Sequence, residues 1–581
     1  MSRTTDIRPN GRTPGPMSLK SGVFSALPLL CLGLLGPSTA GAACTLAGSG
    51  TANDPFLIGT YSDLKQLSDS SSCDLTATYR LTADIDASAS SGENNGYGFA
   101  PIGDSTSTAF AGVFHGSGHV IQNLFILDTL DQQVGLFGQM SGRIDSLGLV
   151  GAHVQAVEPS GGPNGYPNVG LFAGENDDTI SQSYASGGAV VATVTDLSNI
   201  GGLAGINQGG TITFCHTSDS VVSLQRGSSN VGGIVGDNVG DIDNSYSTGA
   251  VKGSAENYVG GIAGNQDWAG TLGYVHATGH IVGDTSCQVG GLVGYNIGTG
   301  NLCYSTSTVS GTVGAWVGGL VGYNDNQGNQ GVFTSSFASG RVTGDSAAEV
   351  GGLAGENSGL FANCYASGFV SGADSSFVGG LAGDVSINGS GTIQSSYAAD
   401  SVVGPSANAL GAIAGVLQVS SWVQNAYWNS QSSGISMGFG SIWDSTDTSA
   451  NRGFTTAQMR NTASFVGFSF SPDSAWTSLP NSYPLLRGLT NDPGVGGTGI
   501  VAHRAAVVDN PSLRWVGRDA DLLLPSPSQV EVVDLTGRAV VPKTDFAAGS
   551  HRLTLPNGNA MLFVLVRSGV RTTTLPLEPL H

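Results

Sequence analysis

The chain has 581 residues, of which 90 are glycine; only 11% are charged, and the formal net charge is −21. Glycine stands at about twice its usual share and charge at about half, yet hydrophobic residues still make up 40%, which excludes a disordered acidic chain. Nine basic residues lie between positions 44 and 500, too few to build the basic face that nucleic acid or an anionic membrane requires. Helix is disfavoured too, because an interior glycine costs about 1 kcal/mol relative to alanine.

Residues 1–43 read as a signal peptide with a leader extension. Lys20 supplies the positive region and residues 23–35 the apolar run, which is too short to span a bilayer. Small residues at 40–43 offer a cleavage site. Export of this kind predicts a secreted, extracellular or cell-surface (outer-membrane) protein. Cys44 then opens the mature chain and has two fates. It accepts a lipid, although Gly41 stands where a lipid-attachment motif wants an aliphatic residue, or it forms a disulfide with Cys73 in an oxidising compartment. Residues 44–133 are expected to form an N-terminal cap and entry coils.

Residues 134–429 repeat. A V-G-G-L-x-G-x-N motif starts at Val134, Val169, Ile200, Val231, Val259, Val289, Val317, Val350, Val378 and, decayed, at Leu410, with spacings of 28 to 35 residues. Each copy holds three short strand candidates separated by Gly, Asn, Ser or Asp turns. None can bury a face alone, so successive copies must stack. The fold expected is an all-β, three-sided parallel β-helix of about 30-residue coils, a rod on the order of 50 Å long for ten coils. Val and Leu face the core, and glycines turn the corners. The recurring asparagines (Asn176, Asn207, Asn238, Asn296, Asn324 and Asn357) favour the left-handed conformation and form a coil-to-coil amide ladder, a structural role weighed against a binding one. Tyr184, His216, Tyr246, His276, Tyr304, Phe337, Tyr365, Tyr397 and Tyr427 occupy equivalent positions. They form a stack inside or flanking the core, or a sugar-binding ribbon. Cys215, Cys303 and Cys364 stand where other copies carry serine, two or three coils apart; two coils already exceed disulfide reach. They are expected to be buried, free and inert. Cys287 lies outside that column and has no assignable partner.

The repeat resembles the GLUG-motif family, which occurs in bacterial haemagglutinin-like adhesins and in the non-catalytic part of some immunoglobulin A peptidases. The likeness runs from Gly50 to Leu489 and includes the entry segments at Gly50, Tyr79, Phe99 and Phe110 and the exit segments at Ala426, Thr455 and Asn481. It implies a β-solenoid with an adhesive or scaffolding role. Residues 430–490 are expected to cap the solenoid. Thr455 and Thr456 would start a short helix that, with Trp476, Tyr483, Leu485 and Leu486, makes a lid over its exposed end.

Residues 491–500 read as a linker and 501–581 as a small antiparallel β-sandwich. Asp534 to Arg538, Gly549 to Leu553 and Met561 to Arg571 resemble the turn and final strands of a type IX secretion sorting domain. That implies secretion machinery as a partner; a plain accessory sandwich is the alternative.

No zinc-peptidase, nucleophile-elbow or phosphate-loop motif is present. His115 and His119 are too sparse a pair to mark a metal site, and no cofactor is expected. The sequence reads as a non-catalytic adhesin or binding scaffold. Its ligand is extracellular and unidentified: a polysaccharide, or a host or neighbour-cell surface. The alternative is a carbohydrate-active β-helix enzyme with carboxylates converging near Asp237, Asp241 and Asp243.

Overall fold

The computed structural model describes residues 44–489, apart from short stretches at 69–72, 104–108, 130–132, 158–166, 194–196, 225, 328–330, 386–390, 406–408 and 444–449, together with the backbone of seven strands between 512 and 577. The signal-peptide region 1–43, the linker at 491–500 and positions 535–538 of the sorting-type turn lie outside the described residues.

Strands of two to five residues cannot satisfy their backbone groups by local hairpins here, and they do so between coils. One coil shows the plan: Asn199–Gly201, Ala204–Asn207, Thr211–Thr213, His216–Thr217 and Ser220–Ser223. Each pairs in parallel, in register, with its counterpart in the following coil. The result is a parallel β-solenoid with four sheets, of 24, 10, 10 and 11 strands. The coil is therefore more finely divided than the three strands expected from the sequence. The largest sheet takes two strands from each coil, and these fuse in Thr392–Ala398 and Trp422–Asn429.

The break inside that sheet is a single residue in the left-handed region. Ser146, Gln182, Phe214, Asn244, Tyr274, Leu302, Ser335, Asn363, Ser395 and Asn425 hold φ between 47° and 56°. This conformation is costly for a side chain such as Phe or Leu, and the hydrogen bonds of the flanking strands hold it. The ladder asparagines, by contrast, lie in extended strands such as Ala204–Asn207, and the left-handed role expected for them belongs to this other column.

Val221, Val231, Ile234, Ile242 and Val251 are wholly buried in the interior. A column of small residues runs beside them: Ala185, Thr217, Ser247, Ala277, Ser305, Ala338, Ala366 and Ala398. Small residues are required there because the second glycine of the corner packs against them. A Cβ on Gly233 would lie 2.1 Å from the carbonyl oxygen of Gly261 and 2.5 Å from Ser247 Oγ. Gly233 does not have a positive φ, so lack of volume, not backbone freedom, is what this position demands.

The two ends break the column with larger residues. Ile121 and Leu149 continue it at the start. At the other end Trp428 follows Ala398, and its ring lies against Gly438 and Gly453. Two last strands, Phe439–Ile442 and Arg452–Phe454, cover this coil. The helix Tyr61–Ser68 adds the buried Leu64 and Leu67 to the core beside the first strands, and Cys44 is disulfide-bonded to Cys73.

The cap differs from the lid expected. Thr456–Met459 is a helix with a capping box between Thr455 and Gln458. From there residues 455–489 fold back along the side of the solenoid as a strap, and Trp428 fills the end. The C-terminal module contains a three-stranded antiparallel sheet (Ser512–Val516, Asp519–Leu524, Gly549–Thr554) and a four-stranded one (Ala539–Phe546, Ser528–Asp534, Leu562–Ser568, Arg571–Leu577).

Gly233→Ala should destabilise the solenoid by about 1–3 kcal/mol through overpacking, read as a lowered denaturation midpoint. A variant as stable as the parent would show that the corner does not depend on close approach.

Candidate functional site

The surface most regular in structure is the aromatic column. Its rings stack face to face from Tyr184 through His216, Tyr246, His276, Tyr304, Phe337 and Tyr365 to Tyr397, with centroids 4.6 to 5.1 Å apart and planes within 10° of parallel. Tyr427 is in register with Tyr397 and stacks on Phe454 at 4.8 Å. The column flanks the core on the outside. Ring faces are consumed by neighbouring rings, so only edges face outward, and a sugar cannot stack on them as it does on an open aromatic platform. Burial pushes the His216 imidazole below its ordinary value.

The strap covers half of this column. Phe337, Tyr365, Tyr397 and Tyr427 are buried with Phe465, Phe468, Trp476 and Tyr483 in a second hydrophobic cluster. The Tyr397 hydroxyl donates to the Pro484 carbonyl at 2.8 Å and the Tyr427 hydroxyl to that of Val466 at 2.8 Å. Trp476 Nε1 donates to Asn363 Oδ1 at 3.1 Å. Tyr184, His216, Tyr246, His276 and Tyr304 are only partly buried.

The six ladder asparagines are fully buried. Asn176 donates to Asn207 at 2.7 Å, Asn207 to Asn238 at 2.8 Å, Asn296 to Asn324 at 2.7 Å and Asn324 to Asn357 at 2.9 Å. Gln266 fills the coil between the two runs and accepts from Asn238 at 3.0 Å. Sequence reading missed it because it is preceded by Asn265 and is not itself an asparagine. These amides are occupied with one another and offer nothing to a ligand.

Cys215, Cys303 and Cys364 are free and buried. Burial pushes each thiol up to about 12. Cys287, unplaced by sequence, belongs to an inward column with Ser198, Ser229, Asn257, Ala315, Ala348 and Ser376, one residue before the paired strands. It too is free and buried, and its thiol is raised to about 11 by burial.

Titratable side chains gather elsewhere than expected. Asp237 lies in Val235–Asn238, whereas Asp241 and Asp243 lie in a different sheet, in Asp241–Asp243. A seam instead runs along the corner between the two sheets of the motif. Across it Gln133 Nε2 donates to Glu175 Oε2 at 2.7 Å, and the rings of Tyr258 and Tyr295 stack at 5.1 Å. In one coil Glu349 and Glu356 take equivalent places on the two sheets, with Asp384 beside Glu356 in the following coil. Glu349 Oε2 and Asp384 Oδ1 are buried without a hydrogen-bond partner. Burial, then the charges of Glu356 and Asp384, hold Glu349 well above its ordinary value. Burial raises Asp384 and Asp237 to about 6, and burial followed by the charge of Asp177 raises Glu175 to about 7. Asp384 is only 2% exposed, which leaves a polymeric substrate little access to it. Among the described residues no cluster of His, Cys, Asp and Glu has metal-binding geometry, and no helix is long and apolar enough to cross a membrane.

Fold and columns together define the protein class as a parallel β-solenoid. No protein-family model matches the chain. It is similar to halomucin of Haloquadratum walsbyi, 36% identical over 174 residues, which are 29% of this chain and only 2% of that protein. Among solved structures, a putative immunoglobulin A1 protease from Bacteroides ovatus aligns over 76% of this chain and 94% of its own, at 18% identity and a TM-score of 0.27, too low to carry an argument.

Raised carboxylates bind more protons in the folded chain than in the unfolded one between the ordinary carboxylate range and about pH 7. Their contribution to stability is present at the acid side of that window and is lost as pH rises through it. The unfolding temperature should therefore be higher at about pH 5 than at about pH 8, and Glu349→Gln should shrink the difference. An equal or lower value at the acid pH would contradict this. For the thiols of the chain from Cys44 onward, a thiol-specific reagent should find none reactive in the native protein and four after denaturation without reductant. Any native reaction would show that a column opens.

Proposed function

We propose that this chain is an exported, non-catalytic surface protein whose solenoid is a stiff scaffold for binding an extracellular ligand. The observation that carries this reading is the division of labour among side chains. The recurring residues that look chemically capable, the amides, rings and thiols, are spent on coil-to-coil contacts, and the converging carboxylates sit in a buried seam. Outward positions differ from coil to coil and are where recognition belongs. The GLUG-type repeat supports the same role by resemblance.

A screen of the purified full chain against a glycan panel and against cell surfaces, read for both binding and turnover, tests it. Saturable binding without product release is expected. Release of sugar fragments, abolished by Glu349→Gln, would instead establish the carbohydrate-active alternative.

The C-terminal module fits delivery through a type IX secretion route. Removing residues 526–581 should leave the solenoid inside the outer membrane when fractions are assayed in the native host. Unchanged surface delivery would make the module an accessory sandwich.

A further inference from the structure

Two parallel columns form a trough on the outside of the largest sheet. One wall is the stacked rings and the other is the left-handed column. Over its C-terminal half the trough is filled by the strap. Trp476 bonds to Asn363, Ser395 Oγ donates to the Gly467 carbonyl at 3.2 Å, and the end of the strap reaches Leu302, with Gly488 against it. The same two columns continue without the strap through Phe214, Asn244 and Tyr274 on one side and Tyr184 to His276 on the other. Phe214 is 50% exposed, and its backbone is held at φ 53°. An exposed phenylalanine in this conformation is not explained by the interior, since its side chain points away from it.

We propose that this half, which the strap leaves uncovered among the described residues, is a docking trough for a short aromatic polypeptide segment of a partner protein, bound as the strap is bound. This deepens the scaffold reading and rests on it. Three observations select a polypeptide. The trough is continuous with an interface that already holds one, in which aromatic side chains meet the ring edges and main-chain carbonyls accept from tyrosine hydroxyls. The ring faces are stacked shut, which removes the platform a sugar uses. Four coils give a length of about 15 Å, which suits about four extended residues and is too small a strip for pairing of two whole copies, where about 800 Å² per partner is usual. Asp243 lies one position before the left-handed Asn244, so the segment should be neutral or basic and not acidic.

The test uses the full chain and, as probe, a fluorescent synthetic peptide of residues 463–489, which carries the strap's own chemistry. Phe214→Asn with Tyr274→Asn removes two side chains from the trough wall while keeping a residue that accepts the left-handed backbone. The peptide should bind saturably, and the double variant should weaken it at least about tenfold, with its unfolding temperature unchanged. A photo-crosslinking version of the peptide should label the coils around Phe214 in the parent, which keeps the test valid if the variant folds poorly. No binding, binding unchanged in the variant, or labelling elsewhere overturns the trough. Glycan or cell binding that persists while the peptide fails overturns the polypeptide assignment and leaves the scaffold standing. Failure of all of these ligands removes the scaffold reading as well.

Discussion

The structure depends on one constraint: each coil lies about 4.8 Å from the next in exact parallel register. Any side chain therefore has the equivalent side chain of the next coil as a close neighbour. Uncharged groups that attract their own kind satisfy this condition, and amides, rings and small apolar residues fill the columns. Like charges do not satisfy it, which accounts for a body with so few charged residues. Where acids do gather, at Glu349, Glu356 and Asp384, burial raises the Glu349 and Asp384 carboxyl groups, and the charges of Glu356 and Asp384 raise Glu349 further, as the constraint requires.

A second condition follows from the narrow interior. The corner glycine of each coil and the small residue opposite it occupy one space, so neither can grow alone. Repetition is possible only while both stay small. The ends are where this rule is suspended: Trp428 takes the volume that later coils would have filled, and Ile121 and Leu149 do the same at the start. The strap is a different solution, covering a flank and not an end.

How much of this was legible follows from what repeats. Val, Gly and Asn recur at fixed offsets, so the solenoid, the amide ladder and the ring column could be read directly. The left-handed column could not, because Phe214, Tyr274 and Leu302 have no preference for that backbone and adopt it only through pairing of the flanking strands. Gln266 hides behind Asn265, and Cys287 belongs to a column whose other members are Ser, Asn and Ala. Glu349 and Glu356 are brought together by a sharp corner that hydrophobic periodicity does not reveal. The reach of the strap depends on which rings lie exposed outside the core, and a period cannot report that.

The amide ladder also has a direction. In each run the side-chain nitrogen of one coil donates to the oxygen of the coil that follows it. Asn176 Oδ1, at the beginning, is left without a partner beside Met140 of the coil before it. Within each run the donor of one coil meets the acceptor of the coil that follows it, and the second run stops at Asn357, whose counterpart in the next coil is Val385. The rod is thus chemically polar along its axis, and the two ends of each amide run cannot substitute for one another.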